Sequence, residues 1–245
     1  MRQVFWAIAL AWSLGAVAPE AGGQGAQSVD LELVLLADAS GSIDTAEIRF
    51  QRQGYAAALT HPEVLGAIAQ GYDQRIAVTY VEWGMAGSQE VVVPWTIIDS
   101  LESAAAFADA LMEAPRRAFG RNAIGEALAF GQALIQSNDI NGYRKVIDLS
   151  ADSANSWNGL SIAEARASAL AADIVINGLA VLCRHCSGRP VRYDLEAAFA
   201  ERIIGGPGSF VISATGDQHF ADAVRKKMLL EIAGTPAPDL RLARE

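Results

Sequence analysis

Hydrophobic and polar positions along this chain repeat with two different periods, and the alternation of the two predicts strands separated by helices. Residues 30–37 begin by alternating and then become wholly apolar, which is typical of a central strand buried on both faces. Residues 44–59 place apolar side chains at helical spacing, and Asp44 followed by Glu47 has the pattern of a helix N-terminus. A strand, a polar loop and a helix therefore follow one another directly.

The remaining elements continue this order. Predicted strands at 75–83 and 89–97 are joined by a linker short enough for a hairpin, and Pro94 places the second strand at the edge of the sheet. The pattern predicts an α/β, doubly wound, mostly parallel sheet with one antiparallel edge strand and helices on both faces. The other predicted elements are helices at 100–113 and 123–136, a strand at 145–150, a helix at 161–172, a strand at 174–182, a helix at 195–202, a strand at 209–213 and a helix at 217–232.

Composition limits the class of protein. With 245 residues, of which 51% are hydrophobic and 19% charged, the chain is long enough for one well-packed domain with short appendages. The net charge of -9 argues against a nucleic-acid partner, because phosphate binding needs a basic face. After the N-terminal segment, no stretch reaches the ~18 apolar residues of a spanning helix, so we expect no transmembrane segment in the mature chain.

The N-terminus has the order of a secretory signal peptide. Arg2 precedes an apolar run at 4–14 and small residues at 15–18, which predicts export to the periplasm or the exterior. Cleavage after Ala18, Ala21 or Ala26 fits this pattern, and an uncleaved membrane anchor is the alternative interpretation. The predicted organisation is a signal peptide and linker at 1–26, one domain at 27–234 and a flexible tail at 235–245.

Cys183 and Cys186 are the only two cysteines of the chain. In an exported protein this close spacing favours a short-loop disulfide. The alternative is a metal or redox site, but a zinc site usually needs a second pair of ligands, and His185 between the two cysteines does not supply one.

The candidate chemistry follows the first predicted strand. Asp38, Ser40 and Ser42 occupy alternate positions, so one carboxylate and two hydroxyl groups can face one point while Gly41 permits a tight turn. Hard oxygen ligands of this kind suit Mg²⁺, Mn²⁺ or Ca²⁺. The alternative is a turn that only caps the next helix. Placement at the carboxyl end of a buried strand, where open α/β sheets bind ligands, favours the metal site.

This loop resembles the Asp-x-Ser-x-Ser element of von Willebrand factor A domains, which bind a metal at a metal-ion-dependent adhesion site. The resemblance implies that two further loops complete the site. Residues 120–125 resemble the second loop, with Asn122 in place of the family's threonine, and Asp152 matches the aspartate of the third. The metal ligands implied are Asp38, Ser40, Ser42, Asn122 and Asp152.

Other segments are similar to an exported bacterial subfamily of these domains that has no assigned function. They lie at 81–83, 92–95, 146–148 and 203–208, so the likeness extends over roughly residues 30–233. It implies the fold and the metal site, and it does not identify a partner.

The resemblance implies a non-enzymatic binding module. A cation at this site leaves one coordination position for a carboxylate from a partner protein or ligand. The alternatives are a hydrolase, with Ser40 or Ser42 as nucleophile or with metal-activated water, and a metal-free structural domain. Against the hydrolase, no motif places His61, His185 or His219 beside either serine, and the chain has no Gly-x-Ser-x-Gly elbow.

Four other features have less weight in the function. The glycine-rich segment 205–208 precedes a strand and lacks the residues of a phosphate-binding loop, so a turn is the better interpretation. Asp148 within a strand favours a structural role, because a buried charge needs a partner. Glu82 lies near the same sheet edge and could support the site indirectly. Trp157 belongs either to the core or to a surface that anchors a partner.

Overall fold

A computed structural model describes residues 27–182, 192–215 and 217–234 of the chain, and in these segments strands alternate with helices. The strands are β1 (Gln27–Asp38), β2 (Ile76–Trp83), β3 (Gln89–Ile98), β4 (Ile140–Ala151), β5 (Val175–Leu182) and β6 (Val211–Thr215). The helices are α1 (Thr45–Leu59), α2 (Pro62–Ala69), α3 (Leu101–Glu113), α4 (Ile124–Gln136), α5 (Ile162–Ala171), α6 (Leu195–Arg202) and α7 (Asp217–Ala233).

The six strands form one sheet in the order β3-β2-β1-β4-β5-β6. Neighbouring strands are parallel except for β3, which lies antiparallel to β2 at one edge. The predicted fold class, a mostly parallel sheet with one antiparallel edge strand, is therefore confirmed.

Pro94 lies in the edge strand β3, as the sequence indicated. In β3, Pro94 and Trp95 both lie opposite Thr79, since Val78 pairs with Thr96 and Tyr80 pairs with Val93. A proline cannot donate its nitrogen to a strand partner, so a bulge at the edge of the sheet accommodates it without breaking the inner strands.

Helices cover both faces of the sheet because the side chains of β1 alternate between two cores. Leu31, Leu33 and Leu35 pack on one face with residues of α1, α2, α3 and α7. Val34 and Leu36 pack on the other face with residues of α4, α5 and α6. Both faces of β1 are thus buried, as the apolar run at 30–37 predicted.

The helix starts follow the local signals. Asp44 accepts hydrogen bonds from the backbone N–H groups of Ala46 and Glu47 at 2.8 and 2.9 Å, while the Glu47 side chain accepts from the Asp44 N–H at 2.6 Å. This reciprocal pair fixes where α1 begins, immediately after the polar loop. Ser100 caps α3 in the predicted position.

The structure differs most from the prediction at α2 and at the start of β4. The sequence pattern did not indicate α2, in which only Val64 and Ile68 are buried. Its start signal is Pro62 in the first turn, with His61 as the cap. Strand β4 begins at Ile140 and not at 145, because Ile140 and its neighbours pair with the first residues of β1. Those added residues are exposed or half-buried and mix polar with apolar side chains, so no apolar run marked them.

Several predictions concern residues outside the described segments. The signal peptide at 1–26, the tail at 235–245 and the Cys183–Cys186 disulfide lie outside the described residues and stay predictions. Within the described part of the chain, none of the helices is long and apolar enough to cross a membrane.

Candidate metal centre

Three loops meet at the edge of the sheet where β1 and β4 end. The two strands are adjacent and parallel, and Ala37 pairs with Ser150, so Asp38 and Asp152 leave the sheet side by side. The start of α4 brings Asn122 to the same edge, where its side chain reaches Asp38. All three loops that the sequence indicated therefore converge, as expected for the carboxyl ends of parallel strands.

The first loop folds back on its own carboxylate. Asp38 Oδ1 accepts a hydrogen bond from the Ser40 N–H at 2.8 Å, and the Ser40 and Ser42 hydroxyl oxygens lie 3.2 Å apart. Asp38 and Ser40 are buried, and Ser42 is half-buried. The alternate spacing thus directs one carboxylate and two hydroxyls to one point.

The second loop contributes an amide. Asn122 is buried, and its Nδ2 donates to Asp38 Oδ2 at 3.4 Å. The Gly120 carbonyl accepts from the Gly41 N–H at 2.7 Å and ties the first two loops together. The nitrogen side of the amide faces the carboxylate here, and a rotation of about 180° would present the oxygen instead.

The third loop supplies a second carboxylate. Burial raises the pKa of Asp152 above its ordinary value, although a hydrogen bond with the Ser42 side chain opposes this rise. Burial, and after it the negative charge of Asp152, raise the pKa of Asp38 to about 7, against the hydrogen bonds from Ser40. The two acids thus destabilise each other's charged form.

No basic side chain in the described segments forms an ion pair with Asp38 or Asp152. The described residues also hold no cluster of three or more His, Cys, Asp or Glu side chains that could bind a metal. The donor set therefore consists of two carboxylates with hydroxyl and amide oxygens. That set fits a hard divalent cation, which would supply the missing positive charge, and it lacks the nitrogen and sulfur ligands of a typical zinc site.

Sequence reasoning missed Arg116, which stabilises the first loop through its backbone carbonyls. Its guanidinium donates to the carbonyls of Ala39, Ser40 and Ile43 at 2.6, 3.1 and 2.9 Å. An arginine that binds main-chain carbonyls fixes the direction of the loop without entering the site. No motif around residue 116 signals this role, because its partners lie more than seventy positions away.

Glu82 supports this edge indirectly. It is buried in β2 and forms an ion pair with Arg52 of α1, with Nη2 and Oε1 2.7 Å apart. Trp83, the next residue, accepts a hydrogen bond from the Ala39 N–H through its carbonyl oxygen at 2.8 Å. This placement agrees with the expectation that Glu82 lies near the same sheet edge and supports the site indirectly.

Two other expectations are settled by position. Asp148 forms an ion pair with Lys227 of α7, with Oδ1 and Nζ 2.6 Å apart, which agrees with the expected structural role. The 205–208 segment contains Gly206 and Gly208 with φ of 95° and 71° and leads into β6, which confirms a turn. Neither contributes to the three-loop site.

The surface around the site is aromatic and basic. Trp157 is 62% exposed, and the Arg121 guanidinium lies 5.0 Å from its ring centre. Trp157 follows the third loop, and its backbone N–H donates to the backbone carbonyl of Asn122 at 2.8 Å. Phe119 and Met85 are also exposed beside the second loop. Large exposed aromatic side chains at one rim are typical of an interaction surface.

Residues 28–236 match a protein family described as "Protein of unknown function (DUF1194)". No curated protein matches the chain. The fold is that of von Willebrand factor A domains, as its similarity to solved structures indicates.

Three of those structures illustrate the likeness. A von Willebrand factor type A protein from Catenulispora acidiphila is 17% identical with a TM-score of 0.57, and the match covers 84% of this chain and 43% of that one. Proximal thread matrix protein 1 from the mussel byssus, in a structure with a zinc-occupied MIDAS motif, is 14% identical with a TM-score of 0.60, covering 84% and 49%. The pilus adhesin SpaC from Lactobacillus rhamnosus GG is 13% identical with a TM-score of 0.59, covering 83% and 31%. This chain thus spans less than half the length of each.

Proposed function

We propose that this chain, which belongs to the DUF1194 family of proteins of unknown function, is an exported, divalent-cation-dependent binding module. The single observation that carries the proposal is the pair of adjacent carboxylates, Asp38 and Asp152, which lack a basic partner among the described residues. A buried acidic pair that has no base in the chain takes up either a proton or a cation from solution, and a divalent cation neutralises both charges at once.

The proposed ligands are Asp38, Ser40, Ser42, Asn122 and Asp152, and the proposed ions are Mg²⁺, Mn²⁺ or Ca²⁺. The bound ion would supply positive charge and an open position for a carboxylate of a partner protein or ligand. Arg116 then serves the site by holding the loop that carries three of the ligands.

The exposed rim supports a binding role. Trp157, Phe119 and Met85 surround the site with apolar surface, and Arg121 adds positive charge beside Trp157. A partner that offers a carboxylate flanked by apolar side chains would match both features. The zinc-occupied MIDAS motif of proximal thread matrix protein 1 and the adhesin role of SpaC agree with this proposal.

A hydrolytic role has less support. Ser40 hydrogen-bonds to Asp38 and lies beside Ser42, and no described imidazole contacts it. His61 instead caps α2, where its Nδ1 accepts from the Glu63 N–H at 3.2 Å. A serine nucleophile needs an adjacent base to remove its proton, and a carboxylate alone is a weak substitute.

Calorimetric titration of Mg²⁺ and Mn²⁺ into the purified protein tests the proposal. We expect one site, and Asp38→Ala should weaken it by more than about a hundredfold, the most that loss of a supporting contact alone usually costs. Asp109→Ala, which removes an exposed carboxylate from α3, is the matched control and should bind normally. Equal affinity in the wild-type and Asp38→Ala proteins would contradict the metal site.

The binding role has its own test. The immobilised protein is incubated with an envelope extract in Mg²⁺ and again with a chelator. We expect partners that are captured only with the metal and that Asp38→Ala does not capture. Capture that is indifferent to both the chelator and the variant would favour a metal-independent domain.

A further inference from the structure

The 114–120 segment connects α3 to the second loop of the candidate metal centre, and it contains neither helix nor strand. Helix α3 ends at Glu113, and Ala114 is extended, as a residue before a proline usually is. Because no helix or sheet hydrogen bonds fix this segment, its position depends on the side chains and loops that bind its backbone groups.

The second half of the 114–120 segment holds the first loop. Arg116 donates to three carbonyls of that loop, and the Gly41 N–H donates to the Gly120 carbonyl at 2.7 Å. Ala118 is buried in one apolar cluster with Ala39 of the first loop. The first loop therefore takes its position from the 114–120 segment as well as from β1.

Arg52 of α1 fixes the first half of the same segment. The arginine is 4% exposed, and its Nη1 donates to the Ala114 carbonyl, while its Nη2 lies 3.4 Å from the Pro115 carbonyl oxygen. Both acceptors are main-chain groups, so Arg52 defines where the backbone lies at the point at which α3 ends. Two arginines, Arg52 and Arg116, therefore join α1, the 114–120 segment and the first loop.

Glu82 orients the Arg52 guanidinium. Its Oε1 accepts a hydrogen bond from Arg52 Nε at 2.8 Å and lies 2.7 Å from Nη2, while Nη1 binds the Ala114 carbonyl. Burial raises the pKa of Glu82, whereas the positive charges of Arg52 and then of Arg116 oppose the rise. One carboxylate therefore balances charge from both arginines that bind these backbone carbonyls.

Stability alone does not require this buried pair. An ion pair in a protein interior is often no more stabilising than apolar side chains of similar volume, because both charges lose their hydration. The Oε2 atom of Glu82 is also buried without a hydrogen-bond partner in the described part of the chain, which adds to the cost. What Arg52 provides and an apolar side chain cannot is a donor for the two carbonyls at 114 and 115.

We propose that Arg52, oriented by Glu82, is a positioning residue of the metal centre, because it anchors the 114–120 segment that holds the first loop in place. Its action on that loop is indirect, through Arg116 and Gly120. The effect on metal affinity rests on the proposed function, whereas the effect on the position of the first loop does not need the metal.

Calorimetric titration of Mg²⁺ into matched variants tests this role. Arg52→Met should weaken binding about 10- to 100-fold, the range expected when a group that orients metal ligands is removed. Arg49→Met, at an exposed position of the same helix, should change it less than about twofold. Lys227→Met, which removes a buried base elsewhere, controls for lost stability and should also stay within about twofold. Wild-type affinity in folded Arg52→Met overturns the proposal.

A double variant separates positioning from stability and covers the case in which Arg52→Met does not fold. Arg52→Met combined with Glu82→Met replaces the ion pair by two apolar side chains, so no charge of the pair is left unbalanced and near-normal stability is expected. The carbonyls of Ala114 and Pro115 still lose their donor, so Mg²⁺ should bind about tenfold more weakly than in the wild-type protein. Normal Mg²⁺ affinity in the double variant overturns the proposal.

Hydrogen exchange in a chelator measures the position of the first loop without metal. The Gly41 N–H, which donates to the Gly120 carbonyl, should exchange several-fold faster in the double variant than in Arg49→Met. Equal exchange in the two proteins overturns the proposal. If the wild-type protein binds no Mg²⁺, the proposed function fails and this exchange alone decides the role of Arg52. If it binds Mg²⁺ and the Arg52 variants bind it equally well, the proposed function stands and this inference fails.

Discussion

Two acidic pairs are buried against the same sheet, and they differ in where their positive charge comes from. Asp148 and Glu231 share Lys227, which α7 places 2.6 Å from Asp148 Oδ1. Asp38 and Asp152 have hydroxyl and amide neighbours but no basic partner among the described residues. The first pair is balanced by a base of the chain itself, and under the proposed function the second pair would take up a cation from solution.

The comparison shows how one fold separates stability from binding. An ion pair that is complete within the chain is costly to break, because removing one partner leaves an uncompensated buried charge. An acidic pair without an internal cation instead keeps a local instability that a ligand can relieve. Removing the base from the first pair and a charge from the second should therefore change stability in opposite directions, and a change at Asn122 should alter only which ion the second pair prefers.

The largest effect should come from removing the internal cation. Lys227→Met leaves Asp148 and Glu231 buried without a base and should lower the free energy of unfolding by about 3–5 kcal/mol, with or without Mg²⁺. Urea denaturation at neutral pH measures it. Lys226→Met, at the exposed neighbouring position, is the control and should change stability by less than about 0.5 kcal/mol. A loss below about 1 kcal/mol for Lys227→Met would show that the two pairs do not differ.

Neutralising an acid in the other pair should have the opposite sign when metal is absent. In the presence of a chelator, Asp38→Asn should raise the free energy of unfolding by about 2 kcal/mol. The substitution removes a negative charge that burial and the neighbouring Asp152 make unfavourable in the folded protein. With saturating Mg²⁺ the order should reverse, because only the wild-type protein gains from binding. Denaturation curves of both proteins in both conditions decide this, and a variant that is less stable in the chelator would contradict it.

The smallest effect concerns the position that differs from the resembled motif. A threonine hydroxyl is a compact ligand, whereas the Asn122 amide carries a competing NH₂ donor that faces Asp38. Mg²⁺ demands near-octahedral geometry, whereas Ca²⁺ tolerates irregular distances. Asn122→Thr should therefore raise the Mg²⁺ to Ca²⁺ affinity ratio about fivefold, which corresponds to ~1 kcal/mol of binding free energy. Parallel titrations of both ions measure the ratio. A ratio that is unchanged or lower would mean that Asn122 is already well placed or is not a ligand.

The sequence by itself determined the parts of this protein that depend on near neighbours. The apolar run at 30–37 and the cap at Asp44 predicted a buried strand and a helix with a polar loop between them. The alternate spacing of Asp38, Ser40 and Ser42 predicted that their side chains face one point, and the hydroxyl and backbone contacts agree. These features follow from local backbone geometry, which a few consecutive residues specify.

A weaker local signal was missed. Helix α2 has its start signal in His61 and Pro62, but only Val64 and Ile68 of its eight residues are buried. A helix with so few core positions has too short an apolar pattern to be distinguished from a loop.

Only the tertiary structure decided the contacts between distant segments. Arg116 binds carbonyls of the first loop from more than seventy positions away, and Lys227 reaches Asp148 across the chain. Arg52 of α1 likewise reaches carbonyls of the 114–120 segment, more than sixty positions away. Sequence spacing has no period that links such residues, since their distance is fixed by the order of strands in the sheet and the packing of helices on it. The sequence therefore specified the site's own loop, and the fold determined what supports it and how each buried charge is balanced.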